Sequence, residues 1–224
     1  MAIPVLKAPI EVGNALHKLG TSTELLMYVV DAIVTARTEC TDNDPSGTRG
    51  WRGWQMGTRR NREVHASSPD SDWKRDDTDQ IASIINEKLR LRIIVCNTDD
   101  GTCMEAGKGP RNRSKKGAGT DRVVDATQLA FDFPKQPAGN VIPIASPAAD
   151  GSYCTYYLCV YHEGDDIRAE LSCAVEMRSG FFRDFKKRIF IVGGEAGTGS
   201  PVKRTKRDDD DGSPEFDIPV TKKK

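Results

Sequence analysis

The residues able to do chemistry in this chain are few and thinly spread. Pro69-Asp-Ser-Asp-Trp-Lys74 holds the residue types of a metal-dependent nuclease. Asp70 and Asp72 would hold a divalent ion, and Lys74 would stabilise the developing charge. Such nucleases normally spread these groups over adjoining strands, whereas this segment reads as a loop, so solvated turn residues are the competing explanation. Asp165, Asp166 and Glu170 make a second carboxylate set at a hairpin, with Ser172 where a nuclease would place lysine. His17, His65 and His162 share no metal-ligand spacing, and the six cysteines (Cys40, Cys96, Cys103, Cys154, Cys159, Cys173) form no Cys-x-x-Cys pair. No metal site or cofactor is expected, and no catalytic residue is assigned.

Binding chemistry is better represented. The run from Gly107 to Arg122 carries Lys108, Arg111, Arg113, Lys115, Lys116 and Arg122 against one acid, Asp121. Glycines at 107, 109, 117 and 119 let the backbone approach a phosphate surface closely. The Gly-x-x-x-x-Gly-Lys spacing of a P-loop is absent, and a mobile, solvated loop is the alternative. A second basic segment interleaves Trp51 and Trp54 with Arg49, Arg52, Arg59, Arg60 and Arg62. Tryptophan can stack on an unpaired base while arginine contacts phosphate, or both indoles can plug the core beneath a loop.

Gln128-Leu-Ala-Phe-Asp-Phe133 follows the first basic run. It resembles the short peptides by which bacterial proteins dock on the replication sliding clamp. The resemblance implies that Leu129, Phe131 and Phe133, alternating along an extended backbone, enter apolar pockets of the clamp while Gln128 adds a directional hydrogen bond. The same alternation describes an edge strand burying the three side chains in the protein's own core.

The surrounding elements read as follows. Pro9 near the start and Gly20 past the end bracket a short helix. Thr21-Ser-Thr-Glu24 fits a capping box, and Leu25, Leu26, Val29, Val30, Ile33 and Val34 then repeat at helical spacing until about Arg37. Residues 39 to 80 give no clear element. Residues 81 to 85 fit a helix or a strand, and Leu89, Leu91, Ile93 and Val95 alternate as a strand. Residues 155–161 and 167–175 form an antiparallel hairpin about the turn Glu163-Gly-Asp-Asp166, with one face expected to be wet. Arg188-Ile-Phe-Ile-Val192 supplies a further strand.

The spacing therefore predicts an α+β domain over residues 1–195, with N-terminal helices packed on a mainly antiparallel sheet, and a disordered charged tail over 196–224. With 33 basic and 33 acidic residues the whole-molecule field attracts no polyanion, so nucleic-acid binding must come from a local patch. The start of the chain lacks the pattern of a signal peptide. Its longest apolar stretch, Leu25 to Ala36, is broken by Asp31 and falls short of the roughly 20 residues of a membrane span. A cytoplasmic location with no membrane contact is expected. The functional expectation is a DNA-associated binding or accessory protein of bacterial or phage type whose partners are nucleic acid and the sliding clamp or another protein. A metal-dependent nuclease and a small protein–protein interaction module are the alternatives.

Overall fold

The computed structural model describes residues 3–40, 47–107, 109–132 and 153–196, without the side chains of 129–132. Its centre is a seven-stranded mixed sheet in the order β1-β7-β6-β5-β4-β3-β2. The strands are β1 (Val5–Leu6), β2 (Trp73–Asp76), β3 (Ser83–Asn86), β4 (Leu91–Asn97), β5 (Cys154–Glu163), β6 (Asp166–Arg178) and β7 (Phe181–Val192). The β1–β7 and β4–β5 pairings are parallel and the other four antiparallel, so the mainly antiparallel α+β expectation holds. The tail, residues 197–224, lies outside the described residues, as does Lys108.

Helices α1 (Pro9–Lys18), α2 (Thr23–Glu39) and α3 (Arg49–Ala66) cover one face of the sheet. The side chain of Ser22, one residue later than the capping box implies, accepts the Leu25 amide and starts α2. The apolar stripe of α2 (Leu26, Val29, Val30, Ile33) is buried against Ile84, Ile93, Leu158 and Leu171 of the sheet. No single described helix is long and apolar enough to cross a membrane; α1 and α2 together pass by composition, but they meet at 94°.

The segment 49–62, expected to be a surface loop, is a regular helix. Its buried side is lined by Gly53, Gly57, Asn61 and His65 at four-residue steps, with Thr58 beside them. An added Cβ at Gly53 would stand 2.6 Å from the Arg37 Cγ, and one at Gly57 would run into Ile33. α3 therefore meets α2 backbone-on-side-chain, and bulk at either glycine forces the helices apart. Gly57→Val is expected to destabilise the fold by about 1–3 kcal/mol, as overpacking does, read as a lower urea midpoint with unchanged slope.

His65 anchors the other end of α3. Its Nδ1 donates to the Asn61 carbonyl at 3.1 Å, and its Nε2 accepts the Thr21 hydroxyl at 2.7 Å in the neutral tautomer. Trp73 packs edge-on against it, with Nε1 donating to the Gly20 carbonyl at 2.8 Å. Burial pushes the His65 imidazole below its ordinary range, against a smaller upward pull from Asn61. The unfolded chain therefore takes up this proton at higher pH than the fold does, and stability should fall as pH drops through about 6.5. Urea midpoints at pH 7.5 and 5.5 check this: the wild type should lose stability across that interval, and His65→Gln should lose less.

The second face of the sheet is also covered. α4 (Ala118–Asp132) lays Val123 and Val124 on Ile94, Cys96 and Tyr157, and residues 98–117 wrap over β6 and β7. The hairpin is thus not wet on one side: Glu170, Ser172 and Arg188 are buried there. Glu170 Oε2 accepts Arg188 Nη2 at 2.6 Å and the Cys103 amide at 2.6 Å, while Arg188 also donates to the Met104 carbonyl at 2.8 Å. Asn112 is buried and holds the loop to the β6–β7 turn, donating to Gly180 O at 2.9 Å and accepting the Phe182 amide at 2.9 Å. From Gly109 to Gly117 the basic run is consequently a built loop.

Candidate nucleic-acid interface

α3 begins when Thr48 caps the Trp51 amide, and it turns its outward side to solvent. Trp51 is 49% exposed, and its ring lies 5.0 Å from that of half-buried Trp54. Arg49, Arg52, Arg59, Arg60 and Arg62 share this helix with one acid, Glu63. Glu63 is held by Arg59 at 2.8 Å and Arg60 at 3.2 Å, which pulls its carboxyl below the ordinary range. Trp54, Gln55, Arg59, Arg62 and Arg75 of β2 line a groove of about 490 Å3. Arg62 also has a structural task, donating to the Asp76 carbonyl at 3.0 Å and pairing with Asp77 at 2.5 Å.

The basic residues between 109 and 122 divide. Arg113 is carried to the N-terminal end of α3: its amide donates to Asn97 O at 3.0 Å, and Asn97 Nδ2 donates to Gly50 O at 2.7 Å. There Arg113 and Arg49 line a pocket of about 610 Å3 with Arg37 from the last turn of α2. Arg111 stacks over the Phe181 ring at 4.0 Å instead, and Lys115 and Lys116 lie beside the β6–β7 turn at Gly180. Arg122 pairs with Asp79 at 2.7 Å. One basic surface thus joins α3 to Arg113, while Arg111, Lys115 and Lys116 sit elsewhere.

Arg37 and Arg75 are contributors that the sequence reading missed. Arg37 carried a signal: it follows Ile33 by four residues, so it continues the buried stripe of α2 with a charge. Burial lowers its proton affinity, and the Arg113 and Arg49 charges nearby lower it further.

Residues 128–132, expected to be extended, are the last turn of α4. A helical backbone does not alternate Leu129 and Phe131 on one side. Gln128 is exposed, and Phe133 lies outside the described residues. The nuclease sets are not assembled either. Asp72 pairs with Lys88 at 2.5 Å, Lys74 pairs with Glu87 at 3.0 Å, and Asp70 sits in an exposed turn. Asp165 is exposed, Asp166 pairs with Arg168, and Glu170 is enclosed with Arg188. No group of histidine, cysteine or acidic side chains suited to a metal ion occurs among the described residues. All six cysteines are buried thiols outside disulfides, and burial pushes the Cys96, Cys103 and Cys159 thiols up, away from the reactive thiolate. The chain matches no protein-family model, no curated protein and no solved structure.

Proposed function

We propose that this protein binds single-stranded nucleic acid along the outward face of α3. The observation that carries the reading is Trp51: a half-exposed indole, backed by Trp54, on a helix with five arginines and one acid in a chain of zero formal charge. An exposed indole among guanidinium groups matches a strand that offers base faces and phosphates together, and unpaired bases are required because a paired base hides its face. Arg59 and Arg60 contact phosphate by exchanging Glu63 for it, which costs little at an exposed pair. The reading leaves clamp docking aside, since helical residues 128–132 do not present the alternation that docking needs.

Fluorescence anisotropy of a labelled single-stranded oligonucleotide tests the proposal. Binding should be measurable at about 50 mM salt and weaken with a log–log slope near −2 to −3, from three or four phosphates at about 0.7 each. Absence of binding at low salt would sink it.

A further inference from the structure

We infer that the pocket at the N-terminal end of α3 binds a phosphomonoester, supplied by the end of the strand that lies along the helix. The source of the phosphate rests on the reading above; the pocket does not.

Three features of the pocket are independent of one another. The first is the helix end. Thr48 caps the Trp51 amide, and the Gly50 amide lies in the same first turn, where the helix supplies no acceptor. α3 is 18 residues long, so its positive end is fully developed. Among the described residues, a Cβ at Gly50 would meet the Asn97 Nδ2 alone, at 3.9 Å, so a ligand can come up to the backbone.

The second feature is Arg37. It is 8% exposed, it lines the pocket, and its Nη1 has no hydrogen-bond partner among the described residues. Its stem runs against Gly53 one turn into α3, in space that a Cβ would take away. Gly53 thus lets an arginine from α2 pass beneath α3 to its positive end. A buried guanidinium with an unfilled donor is costly unless an anion meets it.

The third feature is the charge set. Arg49 and Arg113 join Arg37 in the lining, and both charges act unfavourably on it. Two acids share the lining, Glu163 and Asp165; Glu163 is held by Arg113 at 3.2 Å with its side chain 70% accessible, and Asp165 is exposed beside it on the hairpin tip. An entering phosphate displaces Glu163 from Arg113 and gives up only an exposed pair, which contributes little. A phosphomonoester carries close to two charges and three acceptor oxygens, a better match to Arg37, Arg113 and the Gly50 amide, with the Arg49 charge beside them, than a singly charged diester within a strand. The cavity of about 610 Å3 also has room for the attached sugar. From Arg59 to the pocket α3 runs about 15 Å, so a strand stacked on Trp51 reaches it with its terminus.

The experiment compares one oligonucleotide with a 5′-phosphate, a 3′-phosphate or hydroxyl ends, with inorganic phosphate as competitor. A phosphorylated end should bind about tenfold tighter than hydroxyl ends. The advantage should vanish in Arg37→Met, which keeps the stem over Gly53, and shrink in Arg113→Gln, which alters an accessible side chain and leaves the fold intact. Inorganic phosphate should remove the advantage and leave the remaining affinity unchanged. Equal binding of all three oligonucleotides overturns the inference while leaving single-strand binding in place. If no oligonucleotide binds but inorganic phosphate raises the melting temperature of the wild type and not of Arg113→Gln, the pocket stands with a free phosphate compound as its ligand and the α3 reading falls. No response to either ligand ends both.

Discussion

Glu170→Ala should lower the stability of the fold by about 3–5 kcal/mol, the cost of leaving a buried charge without its partner. Glu170 is 0% exposed and Arg188 1%. The carboxylate accepts four donors: the Cys103 amide and the Ser172 hydroxyl, each at 2.6 Å, and Arg188 Nε at 2.8 Å and Nη2 at 2.6 Å. Truncation strands the guanidinium between two central strands and orphans the Cys103 amide. The pair also secures the wrapped loop, because Arg188 donates to the Met104 and Gly101 carbonyls. Glu170→Ala should therefore speed amide exchange at Cys103 more than at the β4–β5 pairing. The double variant Glu170→Leu/Arg188→Met should recover part of the loss, since two well-packed apolar side chains often replace an ion pair without penalty. It should not recover all of it, because the Met104 carbonyl loses its donor and Gly101 keeps only the Met104 amide, at 3.3 Å. Urea unfolding of the three proteins measures this. A loss below about 1 kcal/mol in the single variant would mean that water reaches Arg188 and that the pair is not enclosed.

That pair marks a boundary of what could be read from the chain. Alternation over Ile167 to Glu176 gave β6 correctly, but it also suggested a wet side bearing Glu170 and Ser172. Nothing local to the strand says that residues 98–117, far away in sequence, cover that side. α2 and the β5–β6 hairpin were legible because their apolar residues recur at one period. α3 was not, because its contact surface is made by missing side chains. Gly53 and Gly57 are poor helix formers and carry no hydrophobic signal, yet they let α2 approach. Asn61 and His65, buried on the same side, look like surface residues in a composition count. The arginines and tryptophans of this segment therefore read as a loop, whereas they share one helix. Of the candidate site, Arg49 and Trp54 could be named from sequence. Their union with Arg113 and Arg37 required the Asn97 bridge to Gly50, a contact spanning 47 positions.

Helical geometry also separates two contributions that a loop would blur, and Trp51→Ala exposes the first of them. Trp51, Gln55, Arg59 and Arg62 follow one another at three- and four-residue steps, so they form one outward ridge. Stacking of one base on an aromatic ring is worth about 1–3 kcal/mol, so Trp51→Ala should weaken a single-stranded oligonucleotide by roughly tenfold or more. It should leave the salt slope unchanged, since no charge is lost. Arg59→Gln should do the opposite: a smaller loss of affinity at moderate salt and a slope shallower by about 0.7. Neither change should alter the unfolding free energy by more than about 0.5 kcal/mol in urea, because both side chains are substantially exposed. Trp73 is enclosed against His65, so binding-induced quenching of tryptophan fluorescence should fall in Trp51→Ala to the share that Trp54 contributes, and be kept in full in Arg59→Gln. A duplex of the same sequence should gain nothing from Trp51, because its base faces are already stacked. Equal affinity of wild type and Trp51→Ala for the single strand would remove stacking from the account and reduce the α3 surface to a general attraction for anions.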